Sequence, residues 1–185
     1  MPSLRPLVLL ALAVITAPSA FAQTPADEAM RRLQPLIGTW DVDDTYRPIR
    51  GAEIREAGTR TCAYVLANRY VECVTRARNA SGREREYRWM VNYNTETRRY
   101  DLVGIFSNWS GKVVQTIRID STGNVWNLRA PSSTSDGIEQ WSWAQIVFES
   151  PDRAVYTSYR NLETNAPSEW TLATRETWVR RPSTR

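Results

Sequence analysis

The sequence predicts an all-β protein, an antiparallel up-and-down β-barrel of about ten strands entered through one short N-terminal helix. Three observations predict it. From Ile37 onward, extended segments recur at short intervals between turn signals such as Asn79-Ala80-Ser81-Gly82 and Ser121-Thr122-Gly123-Asn124. No second helical block is present from which parallel βαβ units could be built. Eight Trp and eight Tyr supply enough large side chains for a single core, and successive hairpins gather the apolar ones on one face.

The chain opens with Arg5, an uninterrupted apolar run from Leu7 to Ile15, a break at Pro18 and the small-x-small triplet Ala20-Phe21-Ala22. This is the layout of a secretory signal, so residues 1–22 are expected to be cleaved, leaving Gln23 first in a periplasmic or secreted protein. The apolar run is too short for a bilayer anchor, and no later segment holds the ~20 apolar residues of a spanning helix. No membrane span is expected after removal of the signal.

Residues 23–36 read as a linker and a short helix. Asp27 caps the helix, Pro35 stops it after about Leu33, and Met30 and Leu33 share a side that can plug a core. The barrel domain is expected over 37–181, with 182–185 as a tail. Its strands fall at about 37–46, 53–66, 69–78, 84–93, 98–107, 112–120, 124–130, 137–149, 153–161 and 168–180. Loops are expected at Pro131 to Asp136 and Leu162 to Pro167.

Hairpin register tests this reading. Pairing Tyr93 with Arg98 sets Trp89 against Leu102 and Val91 against Tyr100. Pairing Ser107 with Lys112 sets Leu102 against Ile117 and Phe106 against Val113. It also places Asp101 beside Arg118 and Arg99 beside Asp120 on the opposite face. Across the next turn Ile119 meets Trp126 and Ile117 meets Leu128. Apolar groups thus share one face and opposite charges the other. Carried backward, the apolar face takes in Tyr87, Trp89, Val91, Val74, Tyr70, Val65 and Ala63. The register about Asn79–Gly82 brings Arg78 against Arg83. Cys62 and Cys73 face each other across the first hairpin, which predicts a cross-strand disulfide on the charged, outward face.

Composition excludes several functions. The chain has no histidine, which removes Ser-His-Asp and Cys-His catalysis, His-ligated haem and imidazole zinc sites. The formal net charge of +4 is spread among alternating acids and bases, with no basic stripe, so no nucleic-acid partner is expected. Asp41, Asp43 and Asp44 cannot converge on a metal, because alternation sends Asp44 to the other side. No metal or cofactor is expected.

Polar groups on the apolar face are the candidates for chemistry. Glu72 and Gln115 fall there, as does Asp44 through the series Trp40, Val42, Asp44, Tyr46. A carboxylate inside a barrel must find a partner, and Arg160 is one candidate. Glu72 is either the polar anchor of a ligand cavity or a hydrogen-bonded residue at the barrel mouth. Trp89 and Trp126 either line a pocket or fill the core. The candidate ligand-binding set is Glu72, Tyr87, Trp89, Tyr100, Gln115 and Trp126. The preferred function is an exported protein binding a small hydrophobic or amphipathic molecule. The alternatives are a cavity enzyme of isomerase or lyase type with Glu72 as general base, and a protein-interaction module of the cell envelope.

Gly38-Thr39-Trp40, opening the first strand after a short helix, resembles the G-x-W signature of the calycin superfamily of lipocalins, fatty-acid-binding proteins and bacterial lipocalin-like proteins. The resemblance implies an up-and-down barrel closed at one end by Trp40 under an arginine of the last strand, Arg175 or Arg180. Ten strands are similar to the fatty-acid-binding arrangement, but its Arg-x-Tyr carboxylate anchor is missing from the last strand.

Overall fold

The computed structural model describes residues 25–135, 138–161 and 170–182. The expected leader, the loop at Leu162 to Pro167 and most of the tail lie outside them. Among the described residues, helix α1 (Pro25–Arg31) and a 3-10 turn (Gln34–Leu36) lead into ten strands. These are β1 (Gly38–Tyr46), β2 (Ile54–Val65), β3 (Tyr70–Asn79), β4 (Glu84–Asn94), β5 (Arg99–Phe106), β6 (Trp109–Ile119), β7 (Val125–Ser135), β8 (Ile138–Ser150), β9 (Arg153–Asn161) and β10 (Thr171–Arg180). Each pairs antiparallel with its neighbours in sequence, and β10 returns to β1, closing the barrel. No described helix is long and apolar enough to cross a membrane.

The helix starts two residues earlier and ends two earlier than expected, and Pro35 falls within the 3-10 turn. Met30, Leu33 and Leu36 are buried and cap one end of the barrel. Two tyrosines fasten the helix to it: Tyr64 donates to the Met30 carbonyl at 3.0 Å and Tyr100 to the Ala29 carbonyl at 2.9 Å.

The inner face of the middle strands is the one expected. Trp89, Leu102, Ile117, Trp126 and Leu128 are buried together, and Ile119–Trp126 and Ile117–Leu128 pair as read. Two registers differ by two residues. Val91 faces Leu102 and Tyr93 faces Tyr100, because Arg98, at φ 54°, belongs to the turn and Asn94 pairs with Arg99. Asn94 Oδ1 accepts from the amides of Glu96 and Thr97 and shapes that turn. Leu102 then faces Gln115 and Tyr100 faces Ile117, with β6 starting at Trp109. A shift of two preserves the faces but dissolves the expected pairs Asp101–Arg118 and Arg99–Asp120; Asp101 instead faces Thr116.

One register differs by a single residue, and it reverses two strands. Arg78 pairs with Glu84, not Arg83, and Arg76 with Glu86. The outer pairings therefore join opposite charges, with Arg76 2.9 Å from Glu86. A one-residue slip turns every side chain over. Val71, Cys73, Thr75 and Ala77 of β3 and Glu56, Arg60 and Cys62 of β2 point inward. Ala63, Val65, Tyr70, Glu72 and Val74 do not share the buried face. The Cys62–Cys73 disulfide forms across the first hairpin, but in the core.

The expected loop after 130 is replaced by strand. β7 runs on to Ser135 with a register break between Ala130 and Ser133. Pro131, which has no N–H to give to a ladder, falls in that break. The seam between β6 and β7 is short: its ladder runs only from Thr116–Arg129 to Ile119–Trp126.

Candidate functional site

Trp40 closes the helix end. It is fully buried, and its indole N–H donates to the Leu36 carbonyl at 2.9 Å. Arg180 lies over the ring, its guanidinium carbon 4.0 Å from the centroid, and donates to the Pro35 carbonyl at 2.9 Å and to that of Ile37. Arg175 is exposed on the outer face. The indole, guanidinium and helix together seal this end.

Toward the other end, register sets three acids side by side. Asp44 faces Glu56 across β1–β2 and Glu176 across β1–β10, and all three are buried. Such a row requires cations, and two buried arginines supply them. Arg60 is 0% exposed and donates to Glu176 Oε2 at 2.8 Å, Thr75 Oγ1 at 2.8 Å and Tyr87 Oη at 3.1 Å. Its guanidinium is also held between indoles, 4.3 Å from the Trp89 centroid and 4.1 Å from that of Trp178. Arg85 reaches Glu56 Oε2 at 2.6 Å and Asp44 Oδ2. It crosses over Ala77 and Gly58, which stand in register between β4 and β1 and have little or no side chain.

Glu176 completes its coordination with Tyr87 Oη at 2.8 Å and Trp178 Nε1 at 2.7 Å. Burial first, then the charge of Glu176, raises Tyr87 well above the ordinary phenol range, so it remains a donor. Asp44 is pushed up to about 8 by burial and by Glu176, against the lowering pull of Arg85. Asp44, Glu56 and Glu176 thus share two guanidiniums, those of Arg60 and Arg85. Among the described residues, Asp44 Oδ1 and Arg60 Nη1 are buried without a hydrogen-bond partner.

Above this network the barrel is open. A cavity of about 310 Å³ has Arg85, Tyr87, Trp89 and Glu176 at its inner end. Leu102, Gly104, Phe106, Val113 and Tyr156 form an apolar and aromatic wall, with Gln115, Ser142 and Ser158 as polar points. Trp109, Tyr159, Arg160 and the segment Tyr46 to Ile49 frame the mouth. Arg160 donates to the Pro48 carbonyl at 2.8 Å and has no carboxylate in ion-pair contact among the described residues. Burial lowers its pKa from the usual arginine value.

Of the candidate ligand-binding residues, Tyr87, Trp89 and Gln115 meet in this cavity. Tyr100 lies at the opposite end, bonded to the helix, and Trp126 packs there on Phe148 and donates to the Gly123 carbonyl. Glu72 is outside the barrel, 3.4 Å from Arg88, so it is neither a cavity anchor nor a base acting there. Arg160 does not reach Asp44. The residues missed were Glu56, Arg60, Arg85 and Glu176. For Glu56 and Arg60 the signal was the outer charge pairing Arg76–Glu86 and Arg78–Glu84, which turns β2 and β3 the right way round, and Arg85 shares the parity of Tyr87 and Trp89 on β4.

The fold and site define a closed ten-stranded β-barrel, plugged at one end and hollow at the other. No protein-family model matches the chain, and no curated protein is significantly similar to it. Solved structures of similar fold exist. Rv2717c from M. tuberculosis is 15% identical, with a TM-score of 0.59 over 87% of this chain and 100% of that one. The S-type phycobiliprotein lyase CPES from Guillardia theta is 14% identical, with a TM-score of 0.55 over 85% of this chain and 93% of that one.

Proposed function

We propose that this chain is an exported, calycin-like binding protein that holds a small amphipathic molecule in the open end of its barrel. The observation that carries this reading is the cavity above the charge network. Its volume of about 310 Å³ is at the small end of ligand pockets, which run from about 300 to 1,000 Å³. Trp89, Phe106 and Tyr156 offer ring faces to an apolar body. Gln115 orients a polar group, and Arg160 at the rim offers its charge to an anionic end. Arg60 and Arg85 are bound to the three inner acids, which makes the network a floor under the cavity. Export is supported by the leader over 1–22 and by a disulfide, which persists in an oxidising compartment.

The test is native mass spectrometry of protein purified from its own host, followed by tryptophan-fluorescence titration with amphipathic aromatic acids. A retained small molecule and saturable quenching are expected. Gly104→Leu supplies the control, because a Cβ at Gly104 meets Phe106 and Trp89 only at ordinary contact, 3.5 Å, and the rest of the side chain fills the cavity. This variant should fold and lose binding. Binding unchanged by Gly104→Leu would place the ligand elsewhere. Mass analysis of exported protein should find Gln23 at the N-terminus, and an intact leader in the purified protein would refute cleavage there.

A further inference from the structure

A barrel strand that packs its inner face into a core ordinarily presents polar side chains outward. β5 and β6 depart from this. Val103 faces Val114 across their ladder, and Met90 of β4 continues the row on the same outer face. Val114 is 46% exposed and Ile105, one step along β5, is 48% exposed. Cations stand on both sides of these aliphatics. Lys112 faces Ile105 toward the cavity mouth. Toward the helix end, Arg98, Arg99, Arg118 and Arg129 line an outer groove of about 700 Å³.

These four guanidiniums make no ion pair among the described residues. Elsewhere on the outer face Arg76, Arg78, Arg88, Arg153 and Arg181 each have a carboxylate partner, and the exposed Arg69, Arg83 and Arg175, which have none among the described residues, are scattered, whereas the four groove arginines lie together. Three acids among the described residues lie near the groove and offset part of its charge, but none is within ion-pair distance of these arginines, so with Lys112 the patch keeps a net positive charge. Asp101 accepts from Asn94, Asp120 is bound by Thr122 and the Val125 amide of its own turn, and Glu96 lies in the exposed turn before Arg98. The register places Asp101 opposite Thr116, so no carboxylate stands across the ladder from Arg118.

We propose that the outer face of β5 and β6 docks on the surface of an anionic phospholipid bilayer. Headgroup phosphates satisfy the unpaired arginines and Lys112, while Ile105 and Val114 enter the headgroup boundary. A soluble polyanion would use the arginine groove and leave the aliphatics in water. A bilayer uses both.

The experiment is co-sedimentation of protein beginning at Gln23, which keeps every described residue of the barrel, with two kinds of vesicle. One is phosphatidylcholine, the other an equal mixture of phosphatidylcholine and phosphatidylglycerol. Binding is expected to the anionic vesicles only and to weaken with salt. R99E/R118E should lower partition by about tenfold or more, and I105S/V114S should also weaken it, each with an unchanged melting temperature. Equal binding to both vesicles, or no loss in R99E/R118E, would overturn the proposal. Inorganic polyphosphate binding together with no effect of I105S/V114S would assign the groove to a soluble anion instead. A protein dimer abolished by I105S/V114S would assign the face to a second copy of this chain.

Discussion

Removing one charge from the Arg60–Glu176 pair should cost far more than removing both. Glu176→Gln keeps the shape of the side chain but leaves Arg60, 0% exposed and 2.8 Å away, as a buried cation facing an amide. Asp44, the next acid in the row, is bonded to Arg85 and not to Arg60. Arg60→Met leaves Glu176 as a buried anion with only the Tyr87 and Trp178 donors. Either change leaves an uncompensated buried charge, and each should cost about 3–5 kcal/mol. At roughly 2–4 °C per kcal/mol for a chain of this size, the single variants should melt roughly 10 °C lower. The double variant replaces both charges with neutral groups of similar volume and should lie well above the sum of the two losses, with a coupling of about 2–3 kcal/mol. Urea unfolding followed by tryptophan fluorescence and circular dichroism measures all three. Single losses below about 1 kcal/mol, or additivity within about 0.5 kcal/mol, would refute the reasoning that these charges depend on each other.

Asp44 predicts a pH dependence with a definite sign. Its folded pKa, about 8, lies above the unfolded value of 3.8, so its contribution is fully present below pH 3.8 and declines as pH rises toward 8. The acids held low by their partners outside the core, Glu53, Glu86 and Asp120, are already ionised above pH 5, which leaves pH 5 to 8 to Asp44. Urea midpoints should fall across that window in the wild type and much less in Asp44→Asn; a flat wild-type profile would sink this. Gly58→Ala places a Cβ 2.0 Å from the Arg76 carbonyl oxygen, so β2 and β3 must part, at about 1–3 kcal/mol by thermal melting. Reduction of Cys62–Cys73 opens a short loop and should cost about 3 kcal/mol, seen as a lower urea midpoint with reductant. Because both sulfurs are buried, reductant should act slowly until the protein begins to unfold.

The fold was legible because alternation is insensitive to even errors. Val91 pairs with Leu102 instead of Tyr100, yet every side chain of β4 and β5 keeps its face, and the sequential antiparallel order follows from the hairpins, with closure added by the pairing of β10 with β1. The candidate site depended on parity, where one residue decides everything. Placing Arg78 against Arg83 sent Glu72 inward on paper and Arg60 and Glu56 outward; pairing it with Glu84 reverses all three. Like charges opposed on a strand pair are unfavourable, so the outer ladder held the correction. Glu176 was less accessible to sequence reasoning, since its neighbours come from β1, β2 and β4 and the strand faces after Pro131 had no nearby turn to set them.

The four-pair ladder between β6 and β7 makes the cylinder unevenly stitched. Its neighbouring ladders, β5–β6 and β7–β8, are longer, so the wall should part first along this line. Amide protons of Ile117 and Leu128 would then exchange sooner than those of Val42 or Val71, although all four side chains are buried. A parting there would give the interior a side entrance, next to the arginine groove and away from both the plug and the mouth.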